Sequence, residues 1–417
     1  MKKMGLTTKI FIGLVCGLIT GIILNKIGPN YVSDTLLVGG IFELVGQLFL
    51  RGINMLVVPL VFISLVNGAA SMSDIKKLGR VGSKALLFYL FTTALAITIA
   101  IGIANVINPG IGLDMSKLVT SEPNIQAAKP FVQVVYEMVP TNIIAAMSQG
   151  TMLQIIVFAL LLGTSLTVLG DKVKTITDIF NQLNDIVMKL VDFIMLLAPY
   201  GVFALIARTF ATLGFDAMAP LAKYMFAVLL ALLLHTAITY SGLLMIFAKL
   251  NPIRFFKKFA PAMGVAFSTS SSNATIPVTL ETVEEKIGAS KNIASFTVPL
   301  GATINMDGTS IMQGVATVFI AQLYGIPLSM NAILTVILTA TLASVGTAGV
   351  PGVGLIMLSM VLTAVGLPVE GIALIIGIDR ILDMTRTAVN ITGDAICTTI
   401  ISKLEGEFDE SIFNSDN

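Results

Sequence analysis

The sequence predicts an all-α polytopic membrane protein, with eight transmembrane helices plus two re-entrant helical hairpins forming inverted repeats. Three observations carry that reading. Of the 417 residues 55% are hydrophobic and only 12% charged, at a mean hydropathy of +0.93, whereas soluble domains carry about 25% charged residues. Apolar runs long enough to cross about 30 Å of hydrocarbon recur along the whole chain. Finally, two segments in the second half have apolar arms too short to cross and centres too polar or glycine-rich to face lipid.

Taken in order, Lys2, Lys3 and Lys9 precede an apolar run ending near Leu24. No small-residue cleavage site follows, so the run reads as a first transmembrane helix entering from the cytoplasm. Gly13, Gly17 and Gly21 recur every fourth residue in it, a spacing that lets another helix approach closely. A second span covers Ile41 to Ala69, with Pro59 placed to kink it. Lys76, Lys77, Arg80 and Lys84 form a short basic loop, cytoplasmic by the positive-inside rule. Span three, Ala85 to Val106, contains Tyr89, Thr92 and Thr93. Asn108 to Thr151, polar and carrying Pro109, Pro123, Pro130 and Pro140, reads as a long outer loop. Spans four and five cover Leu153 to Leu169 and Ile179 to Leu213, with Asp171, Lys172 and Lys174 between them on the inside. Pro199 and Gly201 break the fifth. Span six runs from Pro220 to Lys249, and Arg254, Lys257 and Lys258 return the chain to the cytoplasm.

Phe259 to Ile287 then interrupts its apolar residues with Ser268 to Asn273, and Ile333 to Leu367 does so with Ser344, Gly346, Thr347, Gly349, Pro351, Gly352 and Gly354. These are the two hairpins. Between them Ile293 to Leu323 carries Asn305, Met306, Asp307, Gly308 and Thr309 at its middle, and the Asp307–Gly308 pair points to local unwinding. The eighth span, Gly371 to Ile401, precedes an acidic tail from Glu405 to Asn417. Both termini then lie inside.

Composition excludes several classes. A formal net charge of +1 without a basic, aromatic-interleaved patch gives no basis for nucleic-acid binding. Cys16 and Cys397 both fall in apolar helices, which argues against a disulfide framework. His235 is the sole histidine, so no Cys/His cluster exists to hold zinc. An intramembrane hydrolase would want a G-x-G-D or G-x-S-G signature, and neither occurs. The chain is therefore not read as an enzyme.

The chemistry concentrates in the eighth span. Asp379, Asp383, Arg386, Asn390 and Asp394 follow at steps of 4, 3, 4 and 4 residues, with Thr387 beside them, so all share one helical face. Each charge held near the membrane centre costs about 2.5–3.5 kcal/mol on the insertion scale, and such a face has to point into protein or water. The serine-rich tip (Ser270, Ser271, Ser272) and the glycine-rich tip after Ser344 open half-helices whose N–H groups suit a carboxylate. The Arg386 fork suits a second carboxylate, and Asp383 and Asn390 suit an ammonium group. Carbonyls freed near Asn305 and Gly349, with Asp307 and Asp394, suit a dehydrated cation. A small acidic zwitterion accompanied by a cation satisfies the whole set.

The segments SFTVPLGATINMDGT (Ser295–Thr309), SVGTAGVPG (Ser344–Gly352) and DMTRTAVNITGD (Asp383–Asp394) resemble the sodium:dicarboxylate symporter family, which includes glutamate and archaeal aspartate transporters. The similarity extends from about Thr8 to Ser402. It implies substrate contacts at Ser272, Thr309, Val350, Gly354, Asp383, Arg386, Thr387 and Asn390. It implies one sodium site from Asn305, Asn390, Asp394 and the Gly301 carbonyl, and a second from Tyr89, Thr92, Thr93, Asn305 and Asp307. A third would use backbone carbonyls of Thr303, Ser344, Val345 and Thr347. The resemblance also implies a homotrimer in which a transport domain (73–107 and 219–404) moves like an elevator past a scaffold (1–72 and 108–218), leaving 405–417 as a cytoplasmic tail. Two stretches, the first hairpin tip and the last helix, depart from the family. Archaeal relatives have arginine where Ser270 stands and glycine where Ala274 stands; animal relatives have arginine at the position of Met384, whereas this chain has Arg380 one turn earlier. The resulting expectation is sodium-coupled symport of L-aspartate or L-glutamate across an inner membrane, with Na+ and a lipid bilayer as its partners. The alternative is a proton-coupled or C4-dicarboxylate symporter of the same fold.

Overall fold

The computed structural model describes residues 6–28, 30–70, 75–112, 131–214, 218–345, 347, 349 and 352–415, and among these every regular element is helical. Val350, Gly346 and Pro351 of the second tip, Pro123 and Pro130 of the outer loop, and Lys2 and Lys3 lie outside the described residues.

The first helix, α1 (Leu6–Ile27), is followed by a π-wound turn (Tyr31–Phe42) and α2 (Glu43–Ala70). Asn30 starts the π turn, its side-chain oxygen accepting from the Ser33 amide at 2.9 Å. Pro59 stands inside α2, which remains one helix. After α3 (Ile75–Ile107), the expected outer loop contains two short helices, α4 (Phe131–Glu137) and α5 (Ile143–Gln149). The second has an N-cap: Asn142 Oδ1 accepts from the amides of Ile144 and Ala145 at 3.0 and 3.1 Å. Spans four and five become α6 (Met152–Leu169), α7 (Lys174–Leu196) and α8 (Ala198–Leu213), with the break before Pro199.

The sixth span is α9 (Met218–Leu234), which continues through a π turn (His235–Tyr240), a single α turn α10 (Ser241–Leu243) and a second π turn (Leu244–Ala248). Then come α11 (Pro252–Thr269) and α12 (Ser272–Glu281), joined at Ser270–Ser271, and the broken pair α13 (Lys291–Ile304) and α14 (Asp307–Leu323). The second interrupted segment is α15 (Met330–Ser344) and α16 (Val353–Ala364). The charged helix α17 (Ile372–Leu404) runs without a break, and α18 (Glu410–Asn414) closes the chain.

Among the described residues five runs are long and apolar enough to cross a membrane: Thr8–Ile27, Tyr31–Asn67, Arg80–Ile107, Gln154–Ile194 and Met218–Ala248. Of the other expected spans, one is split at Asn305–Met306, α17 carries the charged face, and α6 joins α7 through a short 3-10 turn (Gly170–Val173).

Two packing features position the interior. The glycines of α1 lie on α8: a Cβ at Gly17 would stand 2.7 Å from the Phe203 carbonyl oxygen, and one at Gly21 2.6 Å from that of Ala207. Helix α17 is the hub of the second half, packing against α9, α11, α13 and α14 as well as α3. At its end Glu405 accepts from Lys84 at 2.6 Å and pairs with Arg80. The Lys84 hydrogen bond, reinforced by the charges of Lys84 and Arg80, holds this carboxyl below the usual carboxylate range. The tail does not trail away. Asp409 N donates to Gly288 O at 2.8 Å, Lys258 Nζ to Ile412 O at 2.7 Å, and Phe413 is buried.

Substituting Gly17→Val should force α1 and α8 apart and cost about 1–3 kcal/mol. The check is thermal unfolding of the purified protein in detergent, and an unchanged Tm would contradict this account of the α1/α8 contact.

Candidate functional site

The inward face of α17 carries Asp379, Asp383, Arg386, Thr387, Asn390 and Asp394, all buried. Arg386 is 0% exposed. Its Nη1 donates to Asp379 Oδ1 at 2.5 Å, and its Nη2 donates to Asp379 Oδ2 at 3.2 Å and to Asp383 Oδ1 at 2.9 Å. Arg380 Nη1 lies 3.4 Å from the other Asp383 oxygen. The spacing argument left Arg386 and Asp383 to receive separate parts of a ligand; here they are paired. The reason is electrostatic, since a guanidinium removed from water needs a countercharge at once. One donor stays over: Arg386 Nε is buried with no acceptor. Thr387 donates to the Asp383 carbonyl at 2.8 Å.

Opposite this face the chain leaves the helix at Asn305 (φ −89°, ψ 92°) and Met306 (φ −116°, ψ 44°). The unwinding thus precedes Asp307 and Gly308, where the sequence had pointed. Gly308 serves contact instead, because a Cβ there would stand 2.6 Å from the Arg386 carbonyl oxygen and 2.9 Å from its Cα. This approach lets Gly308 N donate to Asn390 Oδ1 at 2.7 Å, while Asn390 Nδ2 turns to Met306 Sδ at 3.3 Å. Asn305 Nδ2 donates to Asn390 O at 2.9 Å and to Asp394 Oδ1 at 2.8 Å. The Gly301 carbonyl accepts from Asn305 N at 2.8 Å, and the space a Cβ would take at Gly301 is filled by the Asp394 carboxylate and the Tyr89 hydroxyl. Gly301, Asn305, Asn390 and Asp394 therefore meet. Asn305 Oδ1, buried beside Asp394, has no donor.

Asp307 stands at the start of α14 and is fully buried. Thr93 Oγ1 donates to its Oδ1 at 2.5 Å, while Tyr240 Oη at 2.8 Å and His235 Nε2 at 3.1 Å reach its Oδ2. Tyr89 and Thr92 lie on the same helix but use their hydroxyls elsewhere, on Thr297 O at 3.0 Å and Tyr89 O at 3.2 Å. His235 and Tyr240 were absent from the sequence-based set. Their five-residue separation matches the π winding of His235–Tyr240, which puts both side chains on one side; a solitary histidine five residues before a tyrosine was the only available signal.

The two interrupted segments touch at their tips. Ser271 Oγ donates to Gly349 O at 2.8 Å, and Asn273 N to the same oxygen at 3.2 Å. Ser271 also caps α12 by accepting from Ala274 N at 3.2 Å. Ser270 takes the left-handed conformation (φ 52°) with its hydroxyl buried and unpartnered, a strain of about 1–2 kcal/mol for a residue with a Cβ. Ser272 and Gly349 are in contact, and Gly349 rests on the Ala302 carbonyl. Gly354 faces Arg386: its absent Cβ would lie 3.4 Å from Nη2 and 3.2 Å from Thr309 Cγ2. Of the set Thr303, Ser344, Val345 and Thr347, the hydroxyls of Thr303, Ser344 and Thr347 bond to nearby backbone carbonyls, those of Leu300, Thr341 and Ala343, and Val345 N bonds to Leu342 O.

The donor set fits a hard cation. Carboxylates of Asp307 and Asp394, the amide oxygen of Asn305 and nearby carbonyls are all oxygen ligands at an unwound backbone. Among the described residues no group of three or more His, Cys, Asp and Glu is placed to hold a metal ion.

A buried arginine paired with two carboxylates, an adjoining oxygen-lined break and apolar helices around both mark a membrane protein with a polar interior. The chain belongs to the sodium:dicarboxylate symporter family, whose profile matches residues 6–404. It is 37% identical over 417 residues to a proton/sodium-glutamate symport protein of Bacillus caldotenax, covering 98% of this chain and 97% of that one. It is 38% identical to the proton/glutamate-aspartate symporter of Escherichia coli (98% and 94% covered) and 34% identical to the C4-dicarboxylate transport protein of Bacillus subtilis (97% and 95% covered).

Gly308→Ala should lower stability by about 1–3 kcal/mol, because the methyl group separates α14 from Arg386. Thermal melts of the purified protein read the effect; a variant with wild-type melting would show the contact to be dispensable.

Proposed function

We propose that this chain is a secondary active transporter that carries L-aspartate or L-glutamate inward together with sodium. The observation that carries the reading is Arg386, fully buried with its Nε unpaired and flanked by Asp379 and Asp383. A ligand carboxylate takes the Arg386 fork, the ammonium group takes Asp383 with Asn390, and the second carboxylate takes the N–H groups of the Ser270–Ser272 and 346–354 tips. Thr309, Thr387, Val350 and Gly354 line the ligand. Sodium is cargo in this scheme. It is held by Asn305, Asn390, Asp394 and the Gly301 carbonyl, by Asp307 with Tyr89, Thr92, Thr93 and Asn305, and by carbonyls of Thr303, Ser344, Val345 and Thr347. The names of the related symporters support the substrate class.

The surrounding architecture follows the family resemblance. Eight spans and two hairpins put both termini in the cytoplasm of an inner membrane. Three copies associate through a scaffold formed by 1–72 and 108–218, past which 73–107 and 219–404 move as an elevator. A second reading, proton coupling, draws on His235 Nε2 at 3.1 Å from Asp307 Oδ2, since a histidine beside a buried carboxylate offers a proton the route that an oxygen cage offers sodium.

One experiment separates the two. Protein in vesicles with radiolabelled aspartate should accumulate it uphill under an imposed sodium gradient, and Asp307→Asn and Asp394→Asn should each weaken that uptake strongly, because a dehydrated cation loses its countercharge. Uptake that ignores sodium and follows a pH gradient establishes the proton reading instead.

Arg386→Ala should abolish aspartate and glutamate uptake, whereas Arg386→Cys should admit serine or alanine, whose neutral side chains leave nothing unpaired. Wild-type protein that prefers serine to aspartate would sink the assignment. For topology, a single cysteine at Lys77 should label from the cytoplasmic side alone; labelling from outside reverses the orientation.

A further inference from the structure

Asp383 is held from two directions. Arg386 Nη2 binds Oδ1 at 2.9 Å and Arg380 Nη1 lies 3.4 Å from Oδ2. The four ionisable groups here, Asp379, Arg380, Asp383 and Arg386, sum to zero charge. Their burial is uneven: the Arg386 side chain is 0% exposed, that of Asp383 11% and that of Arg380 17%.

This arrangement matters when a ligand arrives. A carboxylate that engages the Arg386 fork competes with Asp379 and Asp383 for the same N–H groups. Asp379 meets the fork through both oxygens, whereas Asp383 meets it through Oδ1 alone, so Asp383 is the partner more readily displaced. A buried carboxylate left without a cation is strongly unfavourable. An amino acid solves this with its own ammonium group. A dicarboxylate has none, and Asp383 would be stranded unless another cation remained. Arg380 is that cation. It sits one turn before Asp383 on α17 and approaches the oxygen that Arg386 does not use, so ligand exchange at Arg386 leaves it in place. By the same charge it repels an incoming ammonium group. Both effects act in one direction.

We propose that Arg380 is a specificity-determining residue: as a resident countercharge for Asp383 it makes the ligand's ammonium group less necessary, so the site admits C4-dicarboxylates such as succinate beside the acidic amino acids. This rests on the reading of Asp383 as the ammonium partner given above. Arg380 is a positioning residue here, acting on the ligand through Asp383.

The test is competition of unlabelled aspartate and succinate against labelled aspartate, in wild type, Arg380→Gln and Arg380→Lys. Wild type should show measurable inhibition by succinate. Arg380→Gln should shift the ratio of half-inhibiting concentrations toward aspartate by about tenfold, the equivalent of one modest interaction, and Arg380→Lys should keep the ratio near wild type. A merely structural arginine would weaken both ligands together and leave the ratio fixed; that result, or a wild type insensitive to succinate, overturns the proposal while leaving acidic amino-acid transport intact. If Arg380→Gln cannot be purified, Arg380→Lys and Arg380→Met carry the same comparison. A wild type that binds neither aspartate nor glutamate overturns the underlying reading, and the role of Arg380 with it.

Discussion

A guanidinium with no access to water governs the second half of this molecule. Arg386 cannot face lipid and cannot stay unpaired. Its carboxylates, Asp379 and Asp383, come from its own helix, seven and three residues earlier. That local supply lets α17 remain a straight carrier of charge, but the helix then needs protein around it. Helices α9, α11, α13, α14 and α3 provide it. The close contact with α14 depends on Gly308 lacking a side chain. From there the polar face continues to Asn390 and Asp394, which meet the break at Asn305. The buried arginine and the unwound backbone are two ends of one polar column.

The opposite end of that column closes on Asp307. Three donors from two other helices converge on it: Thr93 from α3, and His235 and Tyr240 from the wide turn after α9. In an ordinary α-helix residues five apart point 140° away from each other, since successive residues turn by about 100°. The π winding of His235–Tyr240 removes that divergence, and local π turns of this kind are frequent at functional positions. The wide turn is thus a means of aiming two side chains of one helix at a single carboxylate.

Much of this was legible in the sequence because it depends on periodicity. The 4, 3, 4, 4 spacing of α17, the glycine repeat of α1 and the polar interruptions at Ser270–Asn273 and Asn305–Gly308 are all local patterns. Where the reading missed, the deciding contact came from elsewhere in the chain. Unwinding was placed at Asp307–Gly308, yet the break falls at Asn305–Met306 and Gly308 lies within α14, against the Arg386 backbone. Residues 405–417 were read only as an acidic tail, yet Lys258 and Gly288 anchor it. Arg386 and Asp383 looked separately available, since spacing gives a shared face without saying whether two side chains on it close on one another. The outer loop hid α4 and α5 because helices of 7 residues are too short to show a period.

The joint between the anion-recognising and cation-lining ends has a mechanical consequence. Asn390 belongs to both: its Oδ1 holds Gly308 N against the Arg386 backbone, while its carbonyl accepts from Asn305. Asn305 in turn offers its remaining oxygen, buried and unpartnered, beside Asp394. Under the proposed function, a cation at that oxygen would fix the Asn305 side chain and, through the Asn390 carbonyl, the register of α14 on Arg386, and a carboxylate at Arg386 would impose the same register from the other end. Each ligand would then lower the ordering cost for the other, and coupling of this kind is reciprocal by thermodynamic necessity. Three hydrogen bonds and one glycine contact join the two ends, so a shift at one is passed to the other through protein alone.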